Sequence, residues 1–234
     1  MSLRTLKPAA LNRERLGRPL RRAVYVDGRL GRARRALPRS VAGGFGLDDE
    51  AAVGSRHLEL GSGRRPTPGY IHVDVDPGAR HVELRADAGH LPLPDGWARE
   101  ILAIHVLEHV PPRALASVLG EWRRVLAPGG VLRVHVPDSA AIMTRWLAAD
   151  VDEKWALSGA LLGMYANASV RRPEELQLPC DHQLLFDRDV MRSVLEGAGF
   201  SAVRDRTAEI DDVHTTGWKP LVDRISLVFE GVRP

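Results

Sequence analysis

A glycine turn followed at short distance by an acid constrains this chain more than any other feature. Residues 57–63 read His-Leu-Glu-Leu-Gly-Ser-Gly, and Asp74 ends a second apolar run, 70–74, eleven residues after Gly63. Each run predicts a buried strand, and a glycine at a strand end lets the backbone approach a ligand closely. A carboxylate at the end of the neighbouring strand can hold the hydroxyls of a ribose. The pair predicts a site for a ligand that carries a nucleoside.

The same spacing limits the fold. Parallel neighbouring strands usually need a crossover of a dozen or more residues, commonly a helix. Only residues 62–69 separate the first two strands, and 77–80 separate the second from the third. We therefore expect the first two crossover helices to be shortened or absent. Because parallel sheets are normally covered on both faces, we expect residues 1–50 or a second copy of the chain, as in a homodimer, to cover the face left bare.

Strands and helices alternate along the rest of the chain, which predicts one α/β domain over residues 51–234. Helices around 146–185 form an insert on the expected substrate side. The last two strands are expected to be antiparallel. Beyond 57–60 and 70–74, strands are predicted at 81–85, 100–105, 131–136, 201–207 and 224–232, and helices at 112–126, 139–149, 153–166 and 187–196.

Charge is distributed unevenly along the chain. The formal net charge is +3, and residues 1–40 alone contribute +10, so that residues 41–234 carry −7. We interpret residues 1–50 as a basic arm and linker, with a helix possible at 13–26. Such an arm can bind nucleic acid, a membrane surface or an acidic partner. Its single aromatic residue, Tyr25, offers little for stacking on bases, so a nucleic-acid partner is possible but not favoured.

Composition excludes several other classes. With one cysteine, Cys180, the chain cannot form an internal disulfide or a cysteine-based zinc site. No apolar run approaches the 18 or so residues that span a bilayer. The basic N-terminus lacks the apolar stretch of a secretory signal. We therefore expect a cytoplasmic protein with no membrane span.

Several segments, in the right order, resemble the motifs of class I S-adenosylmethionine-dependent methyltransferases. The resemblance covers about residues 56 to 230 and is closest to the type 11 family, in particular to a compact subgroup associated with sugar, polysaccharide or secondary-metabolite pathways. It implies a Rossmann-like sheet of about seven strands, mostly parallel with an antiparallel edge, and S-adenosyl-L-methionine as cofactor. The segments are Glu59–Gly63, Asp74, 86–94, 100–110, 121–130, and the stretch from Asp181-His182 to Ala198-Gly199-Phe200.

The resemblance also implies which residues bind the cofactor. Asp74 would hold the ribose, Asp87 and Ala88 would meet the adenine, and backbone near Gly61 and His105 would hold the amino-acid moiety, for which a glycine at 61 leaves room. The full set of predicted cofactor-binding residues is Glu59, Gly61, Ser62, Gly63, Asp74, Asp87, Ala88 and His105.

The predicted substrate is a small molecule, a sugar or secondary metabolite, methylated on oxygen or nitrogen. The sulfonium methyl is already a good electrophile, so the protein has mainly to align the nucleophile and exclude water. A general base is needed only for a poorly acidic hydroxyl. His182 is the first candidate for this base and His109 the second, although a structural role explains His109 more easily. Asp138, Ser139 and Tyr165 are further candidates for substrate contact.

Parts of the same motifs also resemble those of other protein classes. His105-Val-Leu-Glu108-His109 matches a zinc-protease pattern that requires a continuous helix, and Pro111-Pro112 exclude that helix, so no metal is expected. A dinucleotide site requires a third glycine where Pro66 stands, and an acid about 20 residues on. An RNA methyltransferase that uses the basic arm, and a non-catalytic partner that binds an adenosyl cofactor, remain open.

Overall fold

The structure is a computed structural model of the chain, and it describes residues 54–63, 66–75, 79, 81–163, 182–209 and 225–234. Its strands are β1 (His57–Leu60), β2 (Ile71–Asp74), β3 (Leu84–Arg85), β4 (Ala98–Ile104), β5 (Leu126–Pro137), β6 (Ser201–Asp205) and β7 (Ser226–Val232). Its helices are α1 (Leu115–Val125), α2 (Ser139–Ala148), α3 (Val151–Leu162) and α4 (Arg188–Gly197), with short 3₁₀ helices at Leu107–His109, Pro112–Ala114 and Thr207–Glu209.

The seven strands form one mixed sheet in the order β3-β2-β1-β4-β5-β7-β6. The pairs from β3 through β5 are all parallel, whereas β7 is antiparallel to both β5 and β6. This arrangement confirms the predicted α/β, Rossmann-like sheet, mostly parallel with an antiparallel edge. β7 follows β6 in sequence but lies second from the edge of the sheet, between β5 and β6.

One face of the sheet packs against α1 and α4 and forms the main core. Alternation along β1 places Leu58 and Leu60 in this core and directs Glu59 to the opposite face. In α1 the apolar residues recur at helical spacing, and Trp122 is fully buried. The helix residues that fill this core are Val118, Leu119, Trp122 and Val125 of α1 and Met191 and Leu195 of α4.

The connections at the start of the sheet are short, as predicted. No helix joins β1 to β2 or β2 to β3 among the described residues. The connection from β3 to β4 contains no helix either, and side chains of α1 hold it in place. The indole of Trp122 donates to the carbonyl of Ala88 over 2.8 Å, and Glu121 Oε1 accepts from the amide of Leu91 over 2.7 Å.

The opposite face of the sheet is largely polar. A charged ladder crosses it through Glu100, Arg133, Glu230 and Arg206, with contacts of 2.7, 2.8 and 2.8 Å between successive groups. Burial raises the pKa of Glu230, but Arg133 and Arg206 outweigh it and leave that pKa lowered.

A small apolar patch lies beside this ladder on the same face. It consists of Tyr70, Leu102 and Ile104, all buried. The cluster includes no residue of the four described helices. The predicted cover of this face by residues 1–50 or by a second chain falls outside the described part of the protein.

Several element boundaries differ from prediction for local reasons. β5 begins at Leu126 rather than 131, with a register shift against β4 between Ala98 and Glu100. Gly163, in the left-handed region with φ +73°, ends α3 at Leu162 instead of 166. The predicted helix at 13–26, Tyr165 and Asp181 lie outside the described residues. None of the described helices combines the length and the apolar character that crossing a membrane requires.

Candidate functional site

A shallow cleft opens at the carboxyl ends of β1, β2, β3 and β4. Ligands of open α/β sheets bind at this edge. The cleft has an apolar floor with two carboxylates beside it, which is the composition of small-molecule sites. Its lining residues are Gly61, Val73, Asp74, Val75, Ala86, Asp87, Ala88 and Val106.

The glycine turn after β1 is shaped by backbone conformation and by packing. Gly61 and Gly63 have φ +66° and +60°, a region that L-residues rarely adopt. The amide of Gly61 donates to the carbonyl of Val73 over 2.7 Å. A Cβ added at Gly61 would lie 2.6 Å from Val106 Cγ2. Both the backbone conformation and the side chain of Val106 therefore require a glycine at position 61; room for the cofactor there stays a prediction.

Asp74 closes the turn from the neighbouring strand. Its side chain is buried at the end of β2, and Oδ2 accepts a hydrogen bond from the amide of Gly63 over 2.8 Å. This bond orients the Asp74 carboxylate at the edge of the cleft.

Asp87 and Ala88 are held by the loop that contains them. Asp87 Oδ1 accepts from the amide of Gly89 over 2.7 Å, and the Asp87 carbonyl accepts from the amide of His90 over 2.9 Å. The Ala88 carbonyl also accepts from the indole of Trp122. Together these contacts hold in place the loop that lines this part of the cleft.

Glu59 is buried beneath the turn and does not line the cleft. It accepts from the amide and hydroxyl of Thr67 over 2.7 and 2.9 Å. Burial raises its pKa in spite of these hydrogen bonds. His72 joins the network through a 2.8 Å contact to the carbonyl of Thr67. Glu59 therefore organises the segment that returns from β1 to β2.

Two more of the predicted cofactor residues lie beside the cleft. Ser62 is buried, and its hydroxyl has no hydrogen-bond partner among the described residues. His105, with φ +53°, directs its side chain away from the lining residues. Its Nδ1 contacts Glu108 Oε1 at 2.9 Å, and its Nε2 contacts the hydroxyl of Ser226 at 3.0 Å.

The segment after β4 brings together a histidine–carboxylate group that we call the Glu108 cluster: His105, Glu108, His109 and His182. Glu108 is fully buried in a 3₁₀ turn. The rings of His109 and His182 meet edge to face with centroids 4.8 Å apart, and His182 Nε2 lies 3.9 Å from Glu108 Oε1.

The charges of this cluster support one another. Burial raises the pKa of Glu108, but attraction to His105, His109 and His182 outweighs it and leaves that pKa lowered. The sequence singled out both His109 and His182 but not Glu108 as their common partner. The available signal was the His-x-x-Glu-His pattern, considered only as a protease motif.

The remaining candidates have structural contacts that account for them. Asp138 caps α2 by accepting from the amide of Ala141 over 2.9 Å and pairs with Arg188. The hydroxyl of Ser139 accepts from the amide of Phe186 over 3.2 Å. Substrate contact by either residue stays a prediction.

Half of the cleft lining was not foreseen. Val73, Val75, Ala86 and Val106 line it beside the predicted Gly61, Asp74, Asp87 and Ala88. Val73 lies in a predicted strand, and Val75, Ala86 and Val106 each follow one. Their positions near the carboxyl ends of the strands could have indicated that they line the cleft.

The comparisons with known proteins agree with this geometry. A family model described as methyltransferase domain matches residues 64–134, which begin directly after the glycine turn and end in β5. No curated protein matches the sequence.

Solved structures with a similar chain course are methyltransferases of low sequence identity. One from Thermotoga maritima, a possible histamine N-methyltransferase, is 15% identical with a TM-score of 0.46 over 79% of this chain and 88% of that chain. One from Archaeoglobus fulgidus is 13% identical, with a TM-score of 0.47 over 78% and 88%. A phosphoethanolamine N-methyltransferase of Haemonchus contortus, in complex with S-adenosyl-L-methionine, is 14% identical with a TM-score of 0.46 over 81% of this chain and 50% of that chain.

The family match over residues 64–134 supports a methyltransferase with S-adenosyl-L-methionine as cofactor, and the seven-stranded sheet has the Rossmann-like order expected for that class. Within that class, residues 64–134 belong to the family described as methyltransferase domain. The residues of the cleft fit the cofactor, because carboxylates for hydroxyl and amine groups flank an apolar floor suited to a purine ring.

Proposed function

We propose that this methyltransferase acts on a small molecule, a sugar or secondary metabolite, and methylates an oxygen or nitrogen atom. The observation that carries the proposal is the ring contact of His182 with His109, a histidine in the turn that follows Val106, which lines the cofactor cleft. A histidine near a methyl-transfer site is useful when the nucleophile is a hydroxyl that must lose a proton.

In this proposal the chain's own residues divide the binding of the cofactor. Asp74 accepts from the ribose hydroxyls, Asp87 accepts from the adenine amine, and the Ala88 amide meets a ring nitrogen. The Gly61–Gly63 turn shapes the backbone against the amino-acid moiety, and the buried hydroxyl of Ser62 offers a further polar contact. S-adenosyl-L-methionine supplies an electrophilic methyl group, so the protein's main task is alignment.

His182 is the proposed general base. Its Nδ1 lies 3.1 Å from the carbonyl of Leu161, which can only accept, so the neutral ring carries its hydrogen on Nδ1. Nε2 is then the atom that takes a proton. The resulting positive charge lies 3.9 Å from the Glu108 carboxylate, which stabilises it. His109 packs against the same ring and serves as the second candidate.

The acidic body favours a small molecule over RNA. Residues 41–234 carry a net charge of −7, which repels phosphate. The basic arm at residues 1–40 is the feature that supports an RNA methyltransferase as the second candidate. A non-catalytic partner that only binds the cofactor is the third.

Transfer of a labelled methyl group by the full-length protein separates these functions. We expect incorporation into members of a panel of sugars and hydroxylated metabolites, and none into total RNA. Labelled RNA would establish the second candidate instead. Calorimetric binding of S-adenosylhomocysteine without transfer to any acceptor would favour the third.

Substitution of the proposed base tests its role within the small-molecule function. His182→Ala should lower turnover at least tenfold with little change in affinity for S-adenosylhomocysteine, because a general base contributes about 10²–10⁴ in rate and nothing to cofactor binding. His90→Ala, at an exposed histidine outside the cluster, is the control. Unchanged turnover in His182→Ala would exclude His182 as the base.

A further inference from the structure

We infer that Glu108, His109 and His182 form a binding site for one divalent transition-metal ion, with Zn²⁺ as the first choice. One ligand atom from each of the three side chains lies within 4.8 Å of the other two. Two imidazoles and one carboxylate are a donor set that Zn²⁺ accepts, and imidazole disfavours Mg²⁺ and Ca²⁺. The inference goes beyond the proposed methyl transfer and does not depend on it. An ion bound at His182 Nε2 would take the lone pair that the proposed general base uses, so the metal-bound form of His182 would not act as that base.

The carboxylate of Glu108 has an oxygen that requires a partner. The side chain is 1% exposed, and Oε1 accepts from His105 Nδ1 over 2.9 Å. Oε2 is buried and has no hydrogen-bond partner among the described residues. A buried charged oxygen without a partner is costly, and a bound cation removes that cost.

His182 is oriented as a metal ligand is. Metal-bound histidines usually donate their second ring N–H to a backbone carbonyl or carboxylate, and His182 Nδ1 lies 3.1 Å from the carbonyl of Leu161. Its Nε2 lies 3.9 Å from Glu108 Oε1. Zinc bonds of about 2.1 Å to each atom bring nitrogen and oxygen to roughly 3.4–4 Å, so the observed separation accommodates an ion with small adjustments.

The outer contacts of the site are also in place. The Glu108 carbonyl accepts from the amide of Gln183 over 2.8 Å, and Gln183 Nε2 donates to the carbonyl of His109 over 3.2 Å. These bonds tie the segment of His182 to the turn that carries Glu108 and His109. Such supporting contacts hold the ligands of metal sites in position.

The site differs from the protease motif that the sequence suggested. His105 precedes the 3₁₀ helix Leu107–His109 and binds the carboxylate of Glu108, so it supports a ligand. The second imidazole comes instead from His182, more than seventy residues along the chain. The pattern of the motif therefore gives two of the three ligands.

Metal titration of the full-length protein tests the site without any assay of methyl transfer. Protein stripped with a chelator is titrated with Zn²⁺ by calorimetry and with Co²⁺ by visible absorption, which reports ligand field and geometry. We expect one ion per chain, and at least a tenfold loss of affinity in His182→Ala and in His109→Asn. His90→Ala should bind the ion as the unmodified protein does, and Mg²⁺ should not compete.

Two kinds of result would contradict the proposed metal site. Absence of Co²⁺ and Zn²⁺ binding at high micromolar concentration would overturn the site, and so would full affinity in a correctly folded His182→Ala or His109→Asn variant. Circular dichroism checks the fold of each variant. If one variant does not fold, the other decides.

Discussion

At the residue scale, two glycines with similar backbone conformation have different surroundings. Gly61 and Gly129 have φ +66° and +76°. An added Cβ would strike Val106 at 2.6 Å in the first case and meet nothing within 4 Å in the second. The two positions therefore separate the cost of backbone conformation from the cost of overpacking.

Gly61→Ala should lower the free energy of unfolding by roughly 2–5 kcal/mol, because a left-handed alanine costs roughly 1–2 kcal/mol and overpacking adds roughly 1–3 kcal/mol. Gly129→Ala should show only the first of these costs. Urea denaturation of both variants measures the difference. Equal losses in the two variants would show that Val106 moves aside.

Asp74→Ala should weaken binding of S-adenosylhomocysteine at least tenfold, because the substitution removes the carboxylate predicted to hold the ribose. Calorimetry on the full-length protein measures the affinity. Asp87→Ala is expected to weaken binding less, since Asp87 would meet only the exocyclic amine. Unchanged affinity in Asp74→Ala would move the ribose contact to another acid, such as Asp76.

How much of the site the sequence could predict depends on separation along the chain. Gly61, Asp74, Asp87 and Ala88 follow predicted strands, so local pattern and family resemblance located them. Gly61 and Val106 lie after different strands, and Glu108 and His182 are 74 residues apart in the chain. No local pattern encodes such contacts, because they depend on how the strands are ordered.

At the element scale, α1 stabilises the loop that replaces a helix between β3 and β4. Glu121 accepts from the amide of Leu91 over 2.7 Å, while Arg124 binds Glu121 and the carbonyls of Leu91 and Leu93. Burial raises the pKa of Glu121, but Arg124 and the Leu91 amide outweigh it and leave that pKa lowered. The ionised carboxyl therefore holds the loop.

Glu121→Gln should reduce the dependence of stability on acid pH. Because folding lowers the pKa of Glu121, its contribution is present above the ordinary value of 4.5 and is lost as pH falls below 4.5 through the folded value. The variant should lose about 1 kcal/mol at neutral pH and less at low pH. Denaturant unfolding across this range measures both, with the exposed Glu196→Gln as control; parallel pH profiles would contradict the assignment.

Strands and helices were predicted closely where apolar periodicity defines them. α1, α2 and α4 begin or end within a few residues of prediction, because their buried faces repeat at helical spacing. β3 has only two residues, and β5 begins at Leu126, five residues before the predicted start at 131. Pairing with β4 extends β5 there, and a single sequence does not reveal such pairing.

At the scale of the whole molecule, the face that bears the charged ladder lacks a described helix over its apolar patch. We propose that residues 1–50 cover it, since their net positive charge complements the acidic body; a second copy of the chain is the alternative. The abbreviated connections that create this situation were predicted from spacing alone. The segment that covers this face could not be predicted, because the short spacing shows that crossover helices are missing but does not show what takes their place.

Deletion of residues 1–40 should lower the melting temperature and expose the patch of Tyr70, Leu102 and Ile104. Differential scanning calorimetry and light scattering on the two forms measure stability and association, and a peptide of residues 1–50 added in trans should restore part of the loss. A deleted form that stays monomeric and equally heat-stable would contradict the proposed cover.

The placement of β7 has a consequence for how the chain matures. β7 (Ser226–Val232) follows β6 in sequence, yet it lies between β5 and β6 in the sheet. Until β7 is in place, β5 has an unpaired edge, and β6 has no neighbour in the sheet. Unpaired edges recruit other strands, and pairing between distant segments is slow. The insertion of β7 is therefore the step at which a folding chain is most open to misassembly.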